Sequence, residues 1–315
     1  MKCQRTFISI LLIAVILSTA SCKHNTSRNT PIHAKTIEIP FKLIRNVIIL
    51  PVKVDGSREL RVILDTGMPF EGLLLYNKNM KDSITLDNAI DVLVPGAGGD
   101  SGSNAIMVDS MSFFVGALEC RNQKIIILQN EIMQGMSSEG ITGYSLFGNY
   151  IVEVDYDRMI ITLHEAEFEV DSSWEWIPLT FKEHKIPWIE VAVSIDGDED
   201  VEISCYIDLA SGDALELLTK ENTKFRLPAK LEDAYLGTGL SGDIYGRKGR
   251  IRSLKLGSFN LRDVETCFAP AEVRSKQLDA DGIIGNNSLR RFNVIFDYER
   301  AKLYIKPNSH FNESF

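Results

Sequence analysis

The stretch that decides the fold is residues 63–67, Ile-Leu-Asp-Thr-Gly, because it returns later in the chain as residues 206–210, Tyr-Ile-Asp-Leu-Ala. The two aspartates, Asp65 and Asp208, are 143 residues apart (208 − 65). Each follows a short apolar run that is typical of a β-strand. The repeat predicts two copies of one unit, each of which delivers an aspartate at the end of a strand.

Four other landmarks repeat in the same order at nearly the same spacing. Gly-Ile-Thr-Gly at residues 140–143 corresponds to Gly-Ile-Ile-Gly at residues 282–285, an offset of 142 (285 − 143). The remaining matches are Val-Glu-Val-Asp-Tyr-Asp-Arg at 152–158 with Val-Ile-Phe-Asp-Tyr-Glu-Arg at 294–300, Val-Asp-Gly at 54–56 with Ile-Asp-Gly at 195–197, and Ile-Pro at 39–40 with Ile-Pro at 177–178. This ordered set indicates an internal duplication.

The local patterns within each copy are those of β-structure. Residues 48–54 and 188–195 have the composition of strands, and each run leads into Asp-Gly, a dipeptide that favours a tight hairpin turn. Patterns with a helical period are few, and residues 215–220 and 288–291 are the best candidates. The sequence therefore predicts an all-β protein with two barrel-like lobes.

Composition and charge exclude several classes of function. A net charge of −9 argues against a nucleic-acid partner, which requires a basic surface. No Gly-rich loop is followed by Lys-Ser or Lys-Thr, so a nucleotide-binding P-loop is absent. The histidines and cysteines have no metal-ligand spacing, so we expect neither a metal nor another cofactor.

The first residues have the features of an export signal. An apolar run at residues 7–17 follows Lys2 and Arg5, and it is too short to span a bilayer comfortably. Small residues then lead to Cys22, which resembles the lipidated cysteine of bacterial lipoproteins; a plain secretory signal with an incidental cysteine is the alternative. We therefore expect a signal peptide at 1–21 and lipid attachment with a polar tether at 22–36.

This start of the chain also predicts where the protein resides. An exported, lipid-anchored chain would lie in a bacterial cell envelope, on the periplasmic face or the cell surface, and would meet the membrane through its N-terminal lipid. The rest of the chain then divides into a first lobe at residues 37–170 and a second lobe at residues 171–315.

The repeated landmarks together resemble a known family. Asp-Thr-Gly at Asp65, followed 78 residues later (143 − 65) by Ile-Thr-Gly ending at Gly143, is similar to the lobe of retropepsin-like and pepsin-like aspartic peptidases. In the second copy Gly285 follows Asp208 by 77 residues (285 − 208). The resemblance covers about residues 37–307. It implies two tandem retropepsin-like lobes with an active-site cleft between them, and Asp65 and Asp208 as the catalytic pair.

The second copy departs from the pattern of that family. There, the residue after the aspartate is Thr or Ser, whose hydroxyl ties the two loops together, and the next residue is Gly. Thr66 and Gly67 keep this pattern, whereas Leu209 and Ala210 do not. A second alignment instead matches Ser211 and Gly212 to the Thr-Gly of the first copy, but it requires two extra residues in a tight turn. Thr66, Gly67, Ser211 and Gly212 are the residues that we expect to support the catalytic pair.

Each copy has a glycine-rich segment between its aspartate and its second glycine motif, at residues 95–102 and 236–246. Glycines permit a hairpin whose backbone approaches a ligand closely. The resemblance implies that these hairpins are flaps over the cleft, with Gly98, Gly99, Gly239 and Tyr245 as candidate flap residues. The alternative is that both segments are ordinary surface loops.

These features predict an aspartic-type endopeptidase that acts on a peptide or protein substrate. Two adjacent carboxyls share a proton, so one can activate a water molecule while the other donates toward the peptide carbonyl. The alternative is a catalytically impaired lipoprotein that keeps the cleft and binds peptides or envelope proteins. A third arrangement pairs Asp65 from two chains, but the linked second copy makes a monomer with two pseudo-symmetric lobes the expected state.

Overall fold

A computed structural model describes residues 36–315 of the chain, apart from residues 55–56, 83, 100–101, 134, 183–184, 198 and 275–278. The predicted signal peptide, the predicted lipidation site at Cys22 and the tether up to residue 35 lie outside the described residues. The described residues belong to one compact unit. In the part of it that is described, no helix is long and apolar enough to cross a membrane.

The first copy of the repeat supplies an eight-stranded sheet. In spatial order the strands are β2 (Lys42–Ile44), β3 (Val47–Val54), β4 (Leu60–Leu64), β9 (Gly140–Thr142), β5 (Gly72–Leu75), β8 (Leu118–Leu128), β7 (Ser103–Val115) and β6 (Ile90–Val94). An additional pairing of β3 with β7 folds the sheet back on itself. This gives the sheet its barrel-like shape.

The second copy supplies an equivalent sheet of eight strands. Their order is β13 (Thr180–Lys182), β14 (Ile186–Ser194), β15 (Val201–Asp208), β20 (Gly282–Gly285), β16 (Leu215–Thr219), β19 (Phe259–Pro270), β18 (Gly242–Leu256) and β17 (Leu231–Gly239). The pairing of β14 with β18 repeats the closure seen in the first copy. The two copies of the sequence repeat therefore form two sheets of matching topology.

A six-stranded sheet joins the two copies. Its order is β1 (Ile37–Pro40), β11 (Ile160–His164), β10 (Ile151–Asp155), β21 (Phe292–Asp297), β22 (Lys302–Pro307) and β12 (Glu175–Pro178). At its centre Val152 pairs with Phe296 and Val154 with Val294, while Glu153 lies opposite Ile295. Because equivalent residues are 142 apart, this register places a pseudo-twofold axis between Glu153 and Ile295.

Long apolar runs are explained by burial on both faces of a strand. In β8, Ile125 and Ile127 belong to the main core that extends through both copies. Their neighbours Ile126 and Leu128 point to the other face, where they join a smaller cluster with Leu74 and Met133. We call this smaller cluster the first-lobe cluster; its second-lobe counterpart contains Trp188, Tyr206, Leu218 and Ile283.

The helices are short. They are α1 (Tyr144–Phe147), α2 (Asn286–Leu289) and the 3₁₀ helices Lys78–Asp82 and Ala271–Arg274. The prediction of an all-β protein with two barrel-like lobes is confirmed. The expected helix at residues 215–220 is wrong, because this segment is β16, which is paired on both sides by β19 and β20. Neighbouring strands have overridden its helical propensity.

Candidate active site

Asp65 and Asp208 occupy equivalent positions at the ends of parallel strand pairs. Asp65 follows β4, which runs parallel to β9, and its backbone N–H donates to Thr142 O at 2.9 Å. Asp208 ends β15 and lies opposite Gly285 of the parallel strand β20. The second glycine motif of each copy is thus the neighbour that positions the aspartate.

Glycine is required at this contact in the first lobe. A Cβ atom on Gly143 would lie 1.7 Å from Asp65 O, which no side chain can satisfy. The paired motifs found in the sequence are therefore a physical pair, because the Gly motif leaves the space that the Asp loop fills.

The two carboxyls border the same point in space. Gly67 N–H donates to Asp65 Oδ1 at 2.7 Å, and Ala210 N–H donates to Asp208 Oδ1 at 2.9 Å. A carbon placed at the Cβ position of Gly67 would lie 3.1 Å from Asp65 Oδ1 and 3.9 Å from Asp208 Oδ1. The sequence predicted this pair, and the fold brings its members together; we call them the dyad.

Burial makes ionisation of both dyad members unfavourable. It raises the pKa of Asp65 to about 8, with the negative charge of Asp208 acting in the same direction. Burial also raises the pKa of Asp208, while Arg274 is the strongest influence that lowers it. Two adjacent buried carboxyls titrate as a unit, and the raised pKa of Asp65 favours retention of a proton on the dyad at neutral pH.

Thr66 ties the two aspartate loops together. Its Oγ1 donates to Ile207 O at 2.7 Å and accepts from Leu209 N–H at 3.1 Å. Both partners flank Asp208 in the chain. Leu209 offers no hydroxyl in return, and its side chain is fully buried in the main core. The connection between the loops is therefore one-sided.

In each lobe, the backbone N–H two residues after the aspartate donates to its carboxyl, and this shared hydrogen bond aligns the loop after Asp208 with the loop after Asp65. Ala210 stands at the position of Gly67, and Leu209 at that of Thr66. Ser211 contributes only through its backbone, whose N–H lowers the pKa of Asp208. Gly212 instead packs against the first lobe, where a Cβ would lie 2.4 Å from Arg45 O. The alternative alignment through Ser211 and Gly212 does not match this geometry.

A buried polar chain that the sequence did not reveal supports the second loop. Tyr156 Oη donates to Asn286 Oδ1 at 2.5 Å, and Asn286 Nδ2 donates to Asn46 O at 2.7 Å. Asn46 Nδ2 then donates to Gly212 O at 3.1 Å. The chain fixes the loop after Asp208 against the first lobe. Its only signal in the sequence is that Asn286 directly follows the second glycine motif.

The two glycine-rich hairpins meet at their tips. Ser241 N–H donates to Ala97 O at 2.9 Å, and Gly98 N–H donates to Val273 O at 3.0 Å. Gly98 has a φ of +103°, and a Cβ there would lie 2.1 Å from Gly242 O. Each tip also reaches the opposite lobe, because Ala97 packs on the second-lobe cluster and Leu240 on the first.

The candidate flap residues have different positions. Gly98 and Gly99 lie at the tip of the first hairpin with positive φ, and Gly239 lies against Ala97 of that tip. Tyr245 lies further down the second hairpin on β18, where its ring contacts Tyr235 and is 63% exposed. Tyr245 therefore faces solvent on the hairpin instead of covering the dyad.

A buried ion pair is a second feature that the sequence did not reveal. Arg274 donates through Nε and Nη2 to the two carboxylate oxygens of Glu216, at 3.0 and 2.9 Å. A glutamate in the otherwise apolar run of β16 was the available signal. Among the described residues, no group of three or more His, Cys, Asp or Glu could hold a metal, and Cys120, Cys205 and Cys267 are buried free thiols.

Comparison with known proteins supports the architecture. The crystal structure of an aspartic proteinase from Irpex lacteus matches with a TM-score of 0.53 and 12% sequence identity, covering 89% of this chain and 99% of that chain. No protein-family model and no curated protein matches the chain. The chain thus has a fold similar to that of a two-lobed aspartic proteinase.

Removal of the Thr66 hydroxyl tests the one-sided connection. In Thr66→Val, Ile207 O and Leu209 N–H lose a buried partner, so we expect the free energy of unfolding to fall by about 1–3 kcal/mol. Thr266→Val is the matched control, because Thr266 is equally buried but its Oγ1 bonds only to Val264 O in its own strand, at 3.0 Å. Urea denaturation measures both, and an equal loss in the two variants contradicts the connecting role of Thr66.

Proposed function

We propose that the chain is an aspartic-type endopeptidase that hydrolyses peptide bonds with a water molecule activated between Asp65 and Asp208. The observation that carries this proposal is that the two carboxyls border one point and are both buried. The ionised member accepts a proton from water, and the protonated member donates toward the carbonyl oxygen of the scissile bond. Neither a covalent intermediate nor a cofactor is needed.

The surroundings of the dyad favour this chemistry over a purely structural role. A buried pair of carboxyls destabilises a folded protein unless their charge is neutralised. Acidic residues with perturbed pKa values cluster at functional sites. The hairpin tips, of which Leu240 packs on the same cluster as Ala210, would exclude water from a bound peptide and supply backbone groups to an extended chain, as in strand addition. A peptide or protein substrate is therefore the class that we propose.

Cleavage of a mixed peptide library by the purified full-length protein tests the proposal. We expect cleavage by the parent protein and at least about a thousandfold loss in Asp65→Asn and in Asp208→Asn, since either change removes the shared-proton pair. Asp155→Asn is the control, because the Asp155 side chain accepts from Arg158 N–H in a turn and lies 4.0 Å from the guanidinium of the same residue. Cleavage that survives both dyad substitutions would overturn the proposal.

The same assay gives a pH profile with a defined direction. The raised pKa of Asp65, about 8, means that the shared proton is kept at neutral pH and lost as the pH rises through about 8. Activity should then fall on the alkaline side, and it should fall on the acid side when the second carboxyl is protonated. A rate that increases steadily above pH 8 would contradict the shared proton.

A second candidate function rests on a specific departure in the site. Leu209 cannot return the hydroxyl bond made by Thr66, and Ala210 carries a methyl where the first lobe has Gly67. A chain with this weakened half-site would bind extended peptides without cutting them. Binding of library peptides by a folded parent protein that cleaves none of them would favour this function over the peptidase.

We also propose that the protein is exported and anchored in a bacterial cell envelope through a lipid on Cys22, with the two-lobed part as a monomer. The support is the apolar run and the small residues before Cys22. We expect metabolic labelling with radioactive palmitate to mark the parent protein and not Cys22→Ala. Equal labelling of both proteins would refute this anchor.

A further inference from the structure

The two lobes place different chemistry at one matched pair of positions. In the first lobe Leu74 pairs with Ile126 on one side and Ile141 on the other. In the second lobe Glu216 pairs with Cys267 and Ile283, which are the equivalent residues. Glu216 therefore stands where the first lobe has Leu74.

The partner of Glu216 is matched in the same way. Arg274 lies seven residues after Cys267 (274 − 267), and Met133 lies seven residues after Ile126 (133 − 126). Met133 and Leu74 both belong to the apolar first-lobe cluster. Two apolar residues in one lobe are thus replaced by a Glu–Arg ion pair in the other.

Stability alone does not account for the ion pair. The side chains of Glu216 and Arg274 are only 4% and 12% exposed, so both charges lose most of their hydration. An apolar pair of similar volume at such a site is usually as stable or more stable. The first lobe demonstrates that this fold accepts one there. A functional use of the charged pair is the remaining reason for its presence.

The pair lies on the face of the sheet that looks toward the dyad and the flap tips. Leu215 and Leu217 point into the main core, whereas Glu216 points to the opposite face with Leu218 of the second-lobe cluster. Val273, next to Arg274, accepts the hydrogen bond from Gly98 at the tip of the first hairpin.

Electrostatics agree with this position. The positive charge of Arg274 lowers the pKa of Asp65 and of Asp208, against the raising effect of burial. Its guanidinium also acts on the pKa of Tyr206, a member of the second-lobe cluster. Arg274 therefore acts electrostatically on the dyad from this face of the sheet.

The Arg274 guanidinium has one nitrogen that does not bind Glu216. Nε and Nη2 are bound to Glu216, but Nη1 has no hydrogen-bond partner among the described residues. The two hydrogen bonds to Glu216 fix the orientation of the guanidinium plane, so Nη1 is available to donate to an acceptor. Carboxylate and carboxamide oxygens are the acceptors that a guanidinium binds best.

We propose that Arg274, held by Glu216, is a specificity-determining residue that binds a side-chain carboxylate or carboxamide oxygen of an extended peptide on the second-lobe side, while partly buried members of the first-lobe cluster such as Phe70 accept an apolar side chain on the first-lobe side. The proposal rests on the proposed function in that it places a peptide over the dyad. It makes the two sides of the site chemically unlike although the fold is pseudo-symmetric.

The test measures peptide binding in a background that cannot cleave. Asp65→Asn protein is immobilised and exposed to a mixed peptide library, and the retained peptides are sequenced. We expect enrichment of peptides that combine an apolar residue with Asp, Glu, Asn or Gln a few positions away. Importing the first-lobe residues with Glu216→Leu/Arg274→Met should reduce that polar enrichment at least about tenfold and leave the apolar preference.

A matched control changes an ion pair of the same lobe that is far more exposed. Arg250 Nε donates to Asp263 at 2.7 Å on β18 and β19, with side chains 40% and 75% exposed. Arg250→Met/Asp263→Leu in the same background should keep the full enrichment.

Thermal denaturation checks that each variant is folded. If Glu216→Leu/Arg274→Met fails to fold, Arg274→Lys is used, and we expect it to lower the polar enrichment severalfold.

The outcomes separate this inference from the proposed function. A peptide profile without polar enrichment, one that is unchanged by the substitutions at 216 and 274, or the absence of any retained peptide would overturn the role of Arg274. Polar enrichment that disappears with those substitutions supports it, even if the parent protein cleaves nothing. In that case only the proposed peptidase activity would fail.

Discussion

The site depends on the approach of two buried carboxyls, Asp65 and Asp208. Their charges repel and their burial opposes ionisation, so the fold must hold them together against an electrostatic cost. It does so with backbone N–H donors from Gly67 and Ala210, and with the Thr66 hydroxyl that spans both loops. The central sheet, whose axis passes between Glu153 and Ile295, brings the two copies into this arrangement.

The two halves of the fold have matching topology but different side chains at key positions. The first lobe keeps Thr66 and an apolar cluster, whereas the second has Leu209 in the core and an ion pair between Glu216 and Arg274. Once one hydroxyl connects both loops, the second can be replaced by an apolar side chain that adds burial. If the proposed peptide substrate is right, the same asymmetry would distinguish the two directions of a peptide in the site.

The repeat predicted the two-lobed all-β fold, and the family resemblance of its motifs predicted Asp65 and Asp208 as a pair, because both inferences depend on local patterns. The Asp loops and the Gly motifs are short, contiguous and duplicated, and β4 with β9 shows that they are physical neighbours. The segment at 215–220 was predicted as a helix because its residues fit a helical period, while its strand state comes from partners far away in the chain.

Contacts between distant segments were beyond the sequence for the same reason. Asn286 meets Asn46 across 240 positions, and Arg274 meets Glu216 across 58. Neither contact produces a local spacing or period in the sequence. A single glutamate in an apolar strand does not indicate which residue it pairs with. The positions of Ala210 and Gly212 likewise followed only from hydrogen bonds to Asp208 and to the first lobe.

The coupling between the two carboxyls can be measured directly, whether or not a substrate is known. Aspartate labelled with ¹³C at Cγ allows the titration of Asp65 to be followed by NMR in the parent protein and in Asp208→Asn. The account predicts a pKa for Asp65 far above its ordinary value of 3.8 in the parent protein, and a lower pKa when the Asp208 charge is removed. An ordinary pKa in the parent protein, or the same pKa in both proteins, would contradict the claim that the lobes build one proton-sharing pair.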